Sequence, residues 1–268
     1  MKFLVMTDIE GVTCVTTFQQ AENSEFGRNM LMNDLKAVLD GIWQAGGEAV
    51  VYDMHTDGRN IDISDIYSPV VMGKPILGER WRGVGGEGFD GLFMVGLHTM
   101  QGTGALLQHS YLKEYEAIYL NGLLIGEIGM EAALASEQGV PLKFVSGDDM
   151  GCAEGKALIP KLVTCAVKKS LTEDTAICYP PAVTSAWLTE AAKKAATADI
   201  KPLAIKPMES GERYEIKIIF SRCEYLNIMK KLHPEIFIDD VTVIMKGDDL
   251  LKTWSEYLSY EKETVQYK

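Results

Sequence analysis

The segment Lys2-Phe3-Leu4-Val5-Met6-Thr7-Asp8-Ile9-Glu10-Gly11 contains the pattern that decides the fold. A short run that is apolar on both faces is typical of a strand buried inside a parallel sheet. Period-two geometry directs the side chains of Asp8 and Glu10 to one side, and Gly11 permits a tight exit from the strand. The segment therefore predicts a buried strand that ends in two converging carboxylates.

Strand-like and helix-like segments alternate after residue 11. A helical pattern runs through Leu31, Leu35 and Ile42 and ends at Gly46-Gly47, and Asn121-Gly122 is typical of a hairpin turn. Short apolar runs lie at 48–52, 92–95, 118–120, 123–125, 142–146 and 162–167. We expect an α/β domain of three layers, in which a mostly parallel sheet is covered by helices.

A change of composition near residue 200 predicts a domain boundary. A helix that opens at Pro180-Pro181 runs to about Ala198, and residues 199–211 contain prolines and a Ser-Gly turn. Beyond them the pattern is strand, helix, strand, helix. We therefore expect a catalytic domain over residues 1–200 and a smaller C-terminal α/β lobe over residues 201–268.

The composition restricts the classes of partner. The chain has 268 residues, with 26 Lys and Arg against 38 Asp and Glu, so its formal charge is 26 − 38 = −12. Such an excess of negative charge repels phosphate backbones and anionic lipids. Because 47% of the residues are hydrophobic, the chain has the composition of a globular protein. Nucleic-acid and membrane partners are not expected.

Two features favour a cytoplasmic location. The first apolar run reaches Asp8 too early to serve as a signal-peptide core, and the uncharged stretch 91–112 contains histidines and glutamines that a bilayer would not accept. The cysteines are odd in number and widely spaced, which favours reduced thiols over disulfides. They are Cys14, Cys152, Cys165, Cys178 and Cys223.

Titratable residues follow several of the predicted strands. His55 and His98 come just after the second and third strands, and Glu127 opens a helix after the hairpin. Carboxyl ends of parallel strands face one crevice, so these side chains are expected to join Asp8 and Glu10. Each residue alone could equally be a helix cap or a hydrogen-bonding loop residue. Together, three carboxylates and two imidazoles suit two zinc ions, since the charge sum of +4 − 3 = +1 favours a bridging hydroxide.

Two further positions are candidates with an alternative explanation. His109 lies in a loop rich in glycine and threonine, where it could act as a general acid or base or could bond to its own loop backbone. Asp148-Asp149 follows a strand and is best explained as a helix N-cap. One of these two acids could instead bind the ammonium group of a substrate.

These motifs, in this order and spacing, resemble those of the D-aminopeptidase family, the self-compartmentalising zinc peptidases of the dipeptide-transport-operon type. The resemblance extends from residue 1 to about Pro180. It rests on Asp8-Ile9-Glu10-Gly11, His55, His98, His109-Ser110, Asn121-Gly122, Gly126-Glu127-Ile128-Gly129, Gly147-Asp148-Asp149 and Ala166-Val167-Lys168.

The resemblance implies a site with two zinc ions per subunit. Asp8 would bridge the metals, Glu10 and His98 would complete one of them, and His55 and Glu127 would complete the other. His109 would match the catalytic histidine of the family. The implied activity is hydrolysis of short peptides with an N-terminal D-amino acid, in a homo-oligomer that forms a decamer of two stacked five-membered rings.

The sequence leaves other functions open. Thr56-Asp57-Gly58-Arg59 after His55, and Met6-Thr7 before Asp8, depart from the family type, so an L-aminopeptidase or a cell-wall peptide amidase is an alternative. A two-metal phosphohydrolase is disfavoured because residues 91–112 contain no Lys or Arg to hold a phosphate. A non-catalytic peptide-binding protein would not need both the ligand set and His109.

Overall fold

A seven-stranded sheet is at the centre of the computed structural model, which describes residues 1–74, 80–208 and 211–267. Its strand order is β3-β2-β1-β4-β7-β8-β9, and every neighbouring pair is parallel except β8 with β9. These strands are β1 (Lys2–Thr7), β2 (Glu48–Asp53), β3 (Val70–Val71), β4 (Gly91–Leu97), β7 (Leu142–Asp148), β8 (Val163–Thr172) and β9 (Thr175–Cys178).

A smaller antiparallel sheet has the order β11-β10-β5-β6. Its strands are β5 (Tyr115–Leu120), β6 (Leu123–Ile125), β10 (Tyr214–Phe220) and β11 (Thr242–Gly247). The predicted hairpin at Asn121-Gly122 is confirmed, and its strand β5 pairs with β10 from the last third of the chain. Strands from both sides of residue 200 thus form one sheet, and the division into two folding units stays a prediction. Residues 209 and 210 of the proposed boundary lie outside the described residues.

Helices cover both faces of the seven-stranded sheet. The helices of the described residues are α1 (Phe18–Asn23), α2 (Glu25–Gln44), α3 (Glu127–Glu137), α4 (Asp149–Leu158), α5 (Pro181–Thr197), α6 (Glu224–Leu232) and α7 (Leu250–Tyr267), of which α7 packs on the smaller sheet and α6 packs on α7. Phe3 and Val5 of β1 belong to the core under α2 and α5, whereas Leu4 and Met6 belong to the core shared with α3, α7 and the smaller sheet. This burial on both faces explains the unbroken apolar run of β1. The expected mostly parallel sheet covered by helices is confirmed. None of the described helices has the length and hydropathy needed to cross a bilayer.

The strand order changes direction at β1, because β2 lies on one side of it and β4 on the other. Open α/β sheets place their sites at such a point, outside the carboxyl ends of the strands. The ends are aligned here, since Thr7 is in register with both Asp53 of β2 and Val95 of β4. Residues that directly follow these three strands therefore meet at one edge.

The chain leaves β1 in close contact with the end of β4. The amide of Asp8 donates to the carbonyl of Val95 at 2.8 Å, and the amide of Gly11 donates to that of Gly96 at 2.7 Å. A Cβ atom on Gly11 would lie 2.0 Å from the carbonyl oxygen of Leu97. The glycine predicted to allow a tight exit is therefore needed so that the Asp8–Gly11 segment can pass this close to β4.

Candidate metal centre

The five predicted ligands meet at the carboxyl edge of the sheet. Asp8 and Glu10 follow β1, His55 follows β2, His98 follows β4, and Glu127 is the first residue of α3. All five are buried, with at most 6% of each residue exposed. The separate sequence positions thus form one enclosed cluster of three carboxylates and two imidazoles.

His55 lies between the two carboxylates of the β1 exit. Its Nδ1 is 2.9 Å from Oδ1 of Asp8 and 3.0 Å from Oε2 of Glu10. A third carboxylate, that of Asp53, accepts the backbone amide of His55 at 3.1 Å and the backbone amide of Asn60 at 2.6 Å. Asp53 thereby fixes the turn that carries the imidazole.

His98 lies between Asp8 and Glu127. Its Nε2 is 3.4 Å from Oδ2 of Asp8 and 3.4 Å from Oε1 of Glu127. Its Nδ1 lies 3.0 Å from the carbonyl of Thr99, which can only accept a hydrogen bond, so Nδ1 carries the proton and Nε2 faces the carboxylates. Metal-binding histidines are typically oriented in this way by a carbonyl partner.

His109 lies against the same cluster and is less buried than the five. Its ring stacks on that of His98 with centroids 3.9 Å apart, and the edge of Phe18 packs on it at 5.4 Å. Nδ1 donates to the carbonyl of Leu107 at 2.9 Å, which leaves Nε2 facing Oε1 of Glu127 at 4.0 Å. The loop-backbone bond considered from the sequence is present, and it orients the free nitrogen toward the cluster.

The charges in the cluster perturb one another strongly. Burial opposes protonation of both imidazoles, but the neighbouring carboxylates of Asp8 and Glu10 raise the pKa of His55 to about 11, and that of Glu127 raises the pKa of His98 to about 10. Burial raises the pKa of Asp8, but the hydrogen bond and charge of His55 outweigh it and hold that pKa well below its usual range. The carboxylates therefore favour the protonated form of both imidazoles. Burial and the neighbouring His98 lower the pKa of His109, which keeps its Nε2 free.

The cluster fits divalent metal ions. Ligand atoms of Asp8, Glu10 and His98 lie within 4.8 Å of one another, and so do those of His98, His109 and Glu127. Among residues 1–74, 80–208 and 211–267, Nε2 of His55 and Nε2 of His98 have no hydrogen-bond partner. Carboxylate oxygens and imidazole nitrogens are the ligands that zinc takes when thiolates are absent.

Asp148 and Asp149 have structural roles. Oδ1 of Asp148 accepts the amides of Met150 and Gly151 at 2.9 Å each, which is the N-cap of α4 predicted from the sequence. Oδ1 of Asp149 accepts the amide of Ser170 at 2.7 Å and so ties α4 to β8.

The similarity to known proteins agrees with this geometry. Residues 1–257 match the family model described as D-aminopeptidase. The chain belongs to the D-aminopeptidase family. The family expected from the sequence is thus confirmed, and with it the enzyme class, a peptidase. The match covers most of the C-terminal third, which the sequence motifs alone did not connect with the family.

A sequence relative and a solved structure, both from Bacillus subtilis, illustrate the relationship. A D-aminopeptidase from strain 168 is 26% identical over 268 residues, which cover 96% of each protein. The solved structure of the Zn-dependent D-aminopeptidase DppA, called a self-compartmentalizing protease, superposes with a TM-score of 0.85 at 24% identity. The superposition covers 99% of this chain and 98% of that one, so the two share one fold over their whole length.

In this member of the D-aminopeptidase family, Lys168 of β8 holds the backbone segment that follows Asp8. It is 1% exposed on β8, and its ammonium group donates to three carbonyls, those of Glu10 at 2.5 Å, Val12 at 3.0 Å and Val15 at 2.5 Å. Burial lowers the pKa of Lys168 to about 8. Sequence reasoning included Lys168 only in the family resemblance and gave it no role. The available signal was its position directly after the apolar run 162–167, where the strand continues into the core.

We predict that Lys168→Met weakens both the fold and metal binding. The substitution leaves three buried carbonyls without their donor, which costs roughly 1–3 kcal/mol for each that stays unpaired. Because those carbonyls belong to the segment that follows Asp8, zinc content should fall together with the free energy of unfolding. The measurements are urea denaturation and elemental analysis.

The matched control is Lys169→Met, which alters the exposed neighbour on the same strand and should change neither quantity. Equal stability and zinc content in the two variants would show that Lys168 does not organise the segment.

Proposed function

We propose that this chain is a zinc-dependent aminopeptidase that removes an N-terminal D-amino acid from short peptides with the help of two zinc ions per subunit. The observation that carries the proposal is the convergence of three buried carboxylates and two imidazoles around Asp8. Membership of the D-aminopeptidase family supports the reaction, and the zinc dependence of the Bacillus subtilis structural relative supports the metal.

Asp8 would contact both ions, because its two oxygens face different neighbours, His55 and His98. Glu10 and His98 would complete one set of ligands, supported by the close grouping of their ligand atoms with Asp8. His55 and Glu127 would complete the other set. When bound, paired zinc ions lower the pKa of a water molecule to near neutrality and polarise a carbonyl group.

His109 is proposed as the group that handles the proton. Its Nδ1–H is fixed by Leu107, so the unprotonated Nε2 can accept a proton and release it to the leaving amine. Its lowered pKa keeps this nitrogen unprotonated at neutral pH. Once protonated, the imidazolium would also stabilise negative charge developing on the substrate carbonyl.

The chain is further proposed to form a homo-oligomer, a decamer of two stacked five-membered rings, that acts in the cytoplasm. The assembly is supported by the family resemblance and by the description of the structural relative as self-compartmentalizing. The cytoplasmic location is supported by the five cysteines, all of which are free thiols.

The substrate assignment predicts a requirement for a free amino terminus. The purified protein should release the first residue from di- and tripeptides that begin with a D-amino acid, and amino-terminal acetylation should abolish this release. The measurement is product formation by chromatography, with the matching L-peptides as the comparison.

The proposed assembly predicts that the protein elutes from gel filtration far above its 29.6 kDa chain mass.

Efficient cleavage of acetylated peptides would exclude an aminopeptidase, and preference for the L-peptides would exclude the D-specific assignment. A fully active monomer would exclude the ring-shaped assembly.

The ligand assignment predicts how zinc is lost when ligands are removed. His55→Ala and Glu127→Ala should each lose one zinc per chain and nearly all activity, because each substitution removes one of the three ligands proposed for the same ion. The double variant His55→Ala/Glu127→Ala should still hold one zinc, whereas Glu10→Ala/His55→Ala should hold none. Elemental analysis measures the content.

His233→Ala is the control, since this histidine caps the end of α6 away from the sheet edge. The reverse result for the two double variants would pair His55 with Glu10 instead, and full zinc content in either single variant would remove that residue from the ligand set.

The role of His109 predicts a loss of turnover without a loss of metal. His109→Ala should keep two zinc ions while its kcat falls roughly 100-fold to 10,000-fold, the usual range for a general acid or base. A drop in zinc content would make His109 a ligand, and a kcat within about threefold of the unaltered protein would leave it as a loop residue.

A further inference from the structure

Tyr111 connects two carboxylates of the same helix. Its backbone amide donates to Oε1 of Glu127 at 2.7 Å, and its hydroxyl donates to Oε1 of Glu131 at 2.9 Å. Glu127 and Glu131 are one turn apart on α3 and therefore share a face of the helix. Tyr111 therefore contacts both Glu127, a proposed zinc ligand, and Glu131 on the next turn of the helix.

The backbone of Tyr111 is in a conformation that needs support. Its φ of 62° lies in the left-handed region, which residues with a bulky side chain rarely adopt. Two contacts hold it there, the hydrogen bond to Glu131 and the packing of its ring on Trp254 of α7, with centroids 5.2 Å apart. In this conformation the amide and the side chain of Tyr111 both face α3.

Glu131 is a fixed acceptor because it is paired inside the protein. It is completely buried, and the guanidinium of Arg82 donates to both of its carboxylate oxygens. Arg82 is itself buried, with its guanidinium 5.3 Å from the centroid of the Tyr52 ring. A buried carboxylate held by an arginine in this way has little freedom to move.

Tyr111 also lies two residues after His109. Nε2 of His109 faces Oε1 of Glu127, the same oxygen that accepts the amide of Tyr111. The position of Tyr111 therefore sets both the orientation of Glu127 and the distance between Glu127 and His109.

We propose that Tyr111, anchored by Glu131 and Arg82, is a positioning residue that holds Glu127 in its metal-binding orientation and His109 at its working distance. This inference rests on the proposed two-zinc function. It gives the C-terminal helix α7 a part in the site, because Trp254 supplies the surface on which the ring of Tyr111 packs.

The test compares Tyr111→Phe with Tyr115→Phe. Tyr115, on β5 of the smaller sheet, is a matched control, since its hydroxyl also donates to a carboxylate, that of Glu261 on α7 at 2.5 Å, but among the described residues bonds none of the proposed zinc ligands. For each variant, zinc affinity is measured by competition with a chelator. The kcat and KM are measured on a D-aminoacyl dipeptide, and the thermal midpoint of unfolding is measured as well. Tyr111→Phe keeps the backbone amide that bonds Glu127 but removes the hydroxyl that anchors the residue to Glu131, and disturbing a partner of a metal ligand typically weakens metal binding or activity about 10- to 100-fold.

We expect Tyr111→Phe to bind one of its two zinc ions about 10- to 100-fold more weakly, with the other unchanged and with kcat reduced more than KM is altered. Tyr115→Phe should lose thermal stability alone. Should Tyr111→Phe fail to fold, Glu131→Gln carries the same expectation. Its side-chain NH2 group would lie against the guanidinium of Arg82, donor against donor, and would weaken the contacts that hold Tyr111.

Equal zinc affinity in the Tyr111 and Tyr115 variants, with only their thermal midpoints lowered, would reduce Tyr111 to a structural residue and overturn the inference. That result is distinguishable from failure of the proposed function, in which the unaltered protein itself would bind no zinc and both proposals would fall.

Discussion

Three carboxylates, those of Asp8, Glu10 and Glu127, are buried together in one crevice, and the rest of the site depends on how this concentration of negative charge is offset. Buried carboxylates without partners are strongly destabilising. Here the imidazoles of His55 and His98 lie against these carboxylates, whose negative charge raises the pKa values of both rings. The same buried carboxylates and imidazoles bring their ligand atoms close enough together to bind a divalent cation.

The fold can place these carboxylates together because β1 lies between β2 and β4 with their ends in register. The backbone supports the arrangement at close range. Gly11 brings the β1 exit against Leu97, and Lys168 holds the carbonyls that follow it. The helix that begins at Glu127 is held separately, through Tyr111. The ligands thus come from several elements, each fixed by its own contacts.

Much of this arrangement could be predicted from the sequence, because it follows from local patterns. The apolar run of β1 predicted a buried strand, and the rule that parallel strand ends share a crevice predicted that His55 and His98 would meet Asp8. The supporting contacts could not be predicted in this way. Lys168 reaches carbonyls more than 150 positions earlier in the chain, and the left-handed φ of Tyr111 has no signature in its neighbours. The pairing of β10 with the hairpin strand β5 is equally non-local. Composition near residue 200 therefore predicts a boundary but does not reveal that strands from both sides of it share one sheet.

Zinc anomalous diffraction from crystals of the protein tests the central claim most directly. We expect two peaks on either side of Asp8, each about 2.0–2.2 Å from one of its oxygens and within bonding distance of one imidazole nitrogen. A single peak, or peaks that do not contact Asp8, would contradict the two-zinc site.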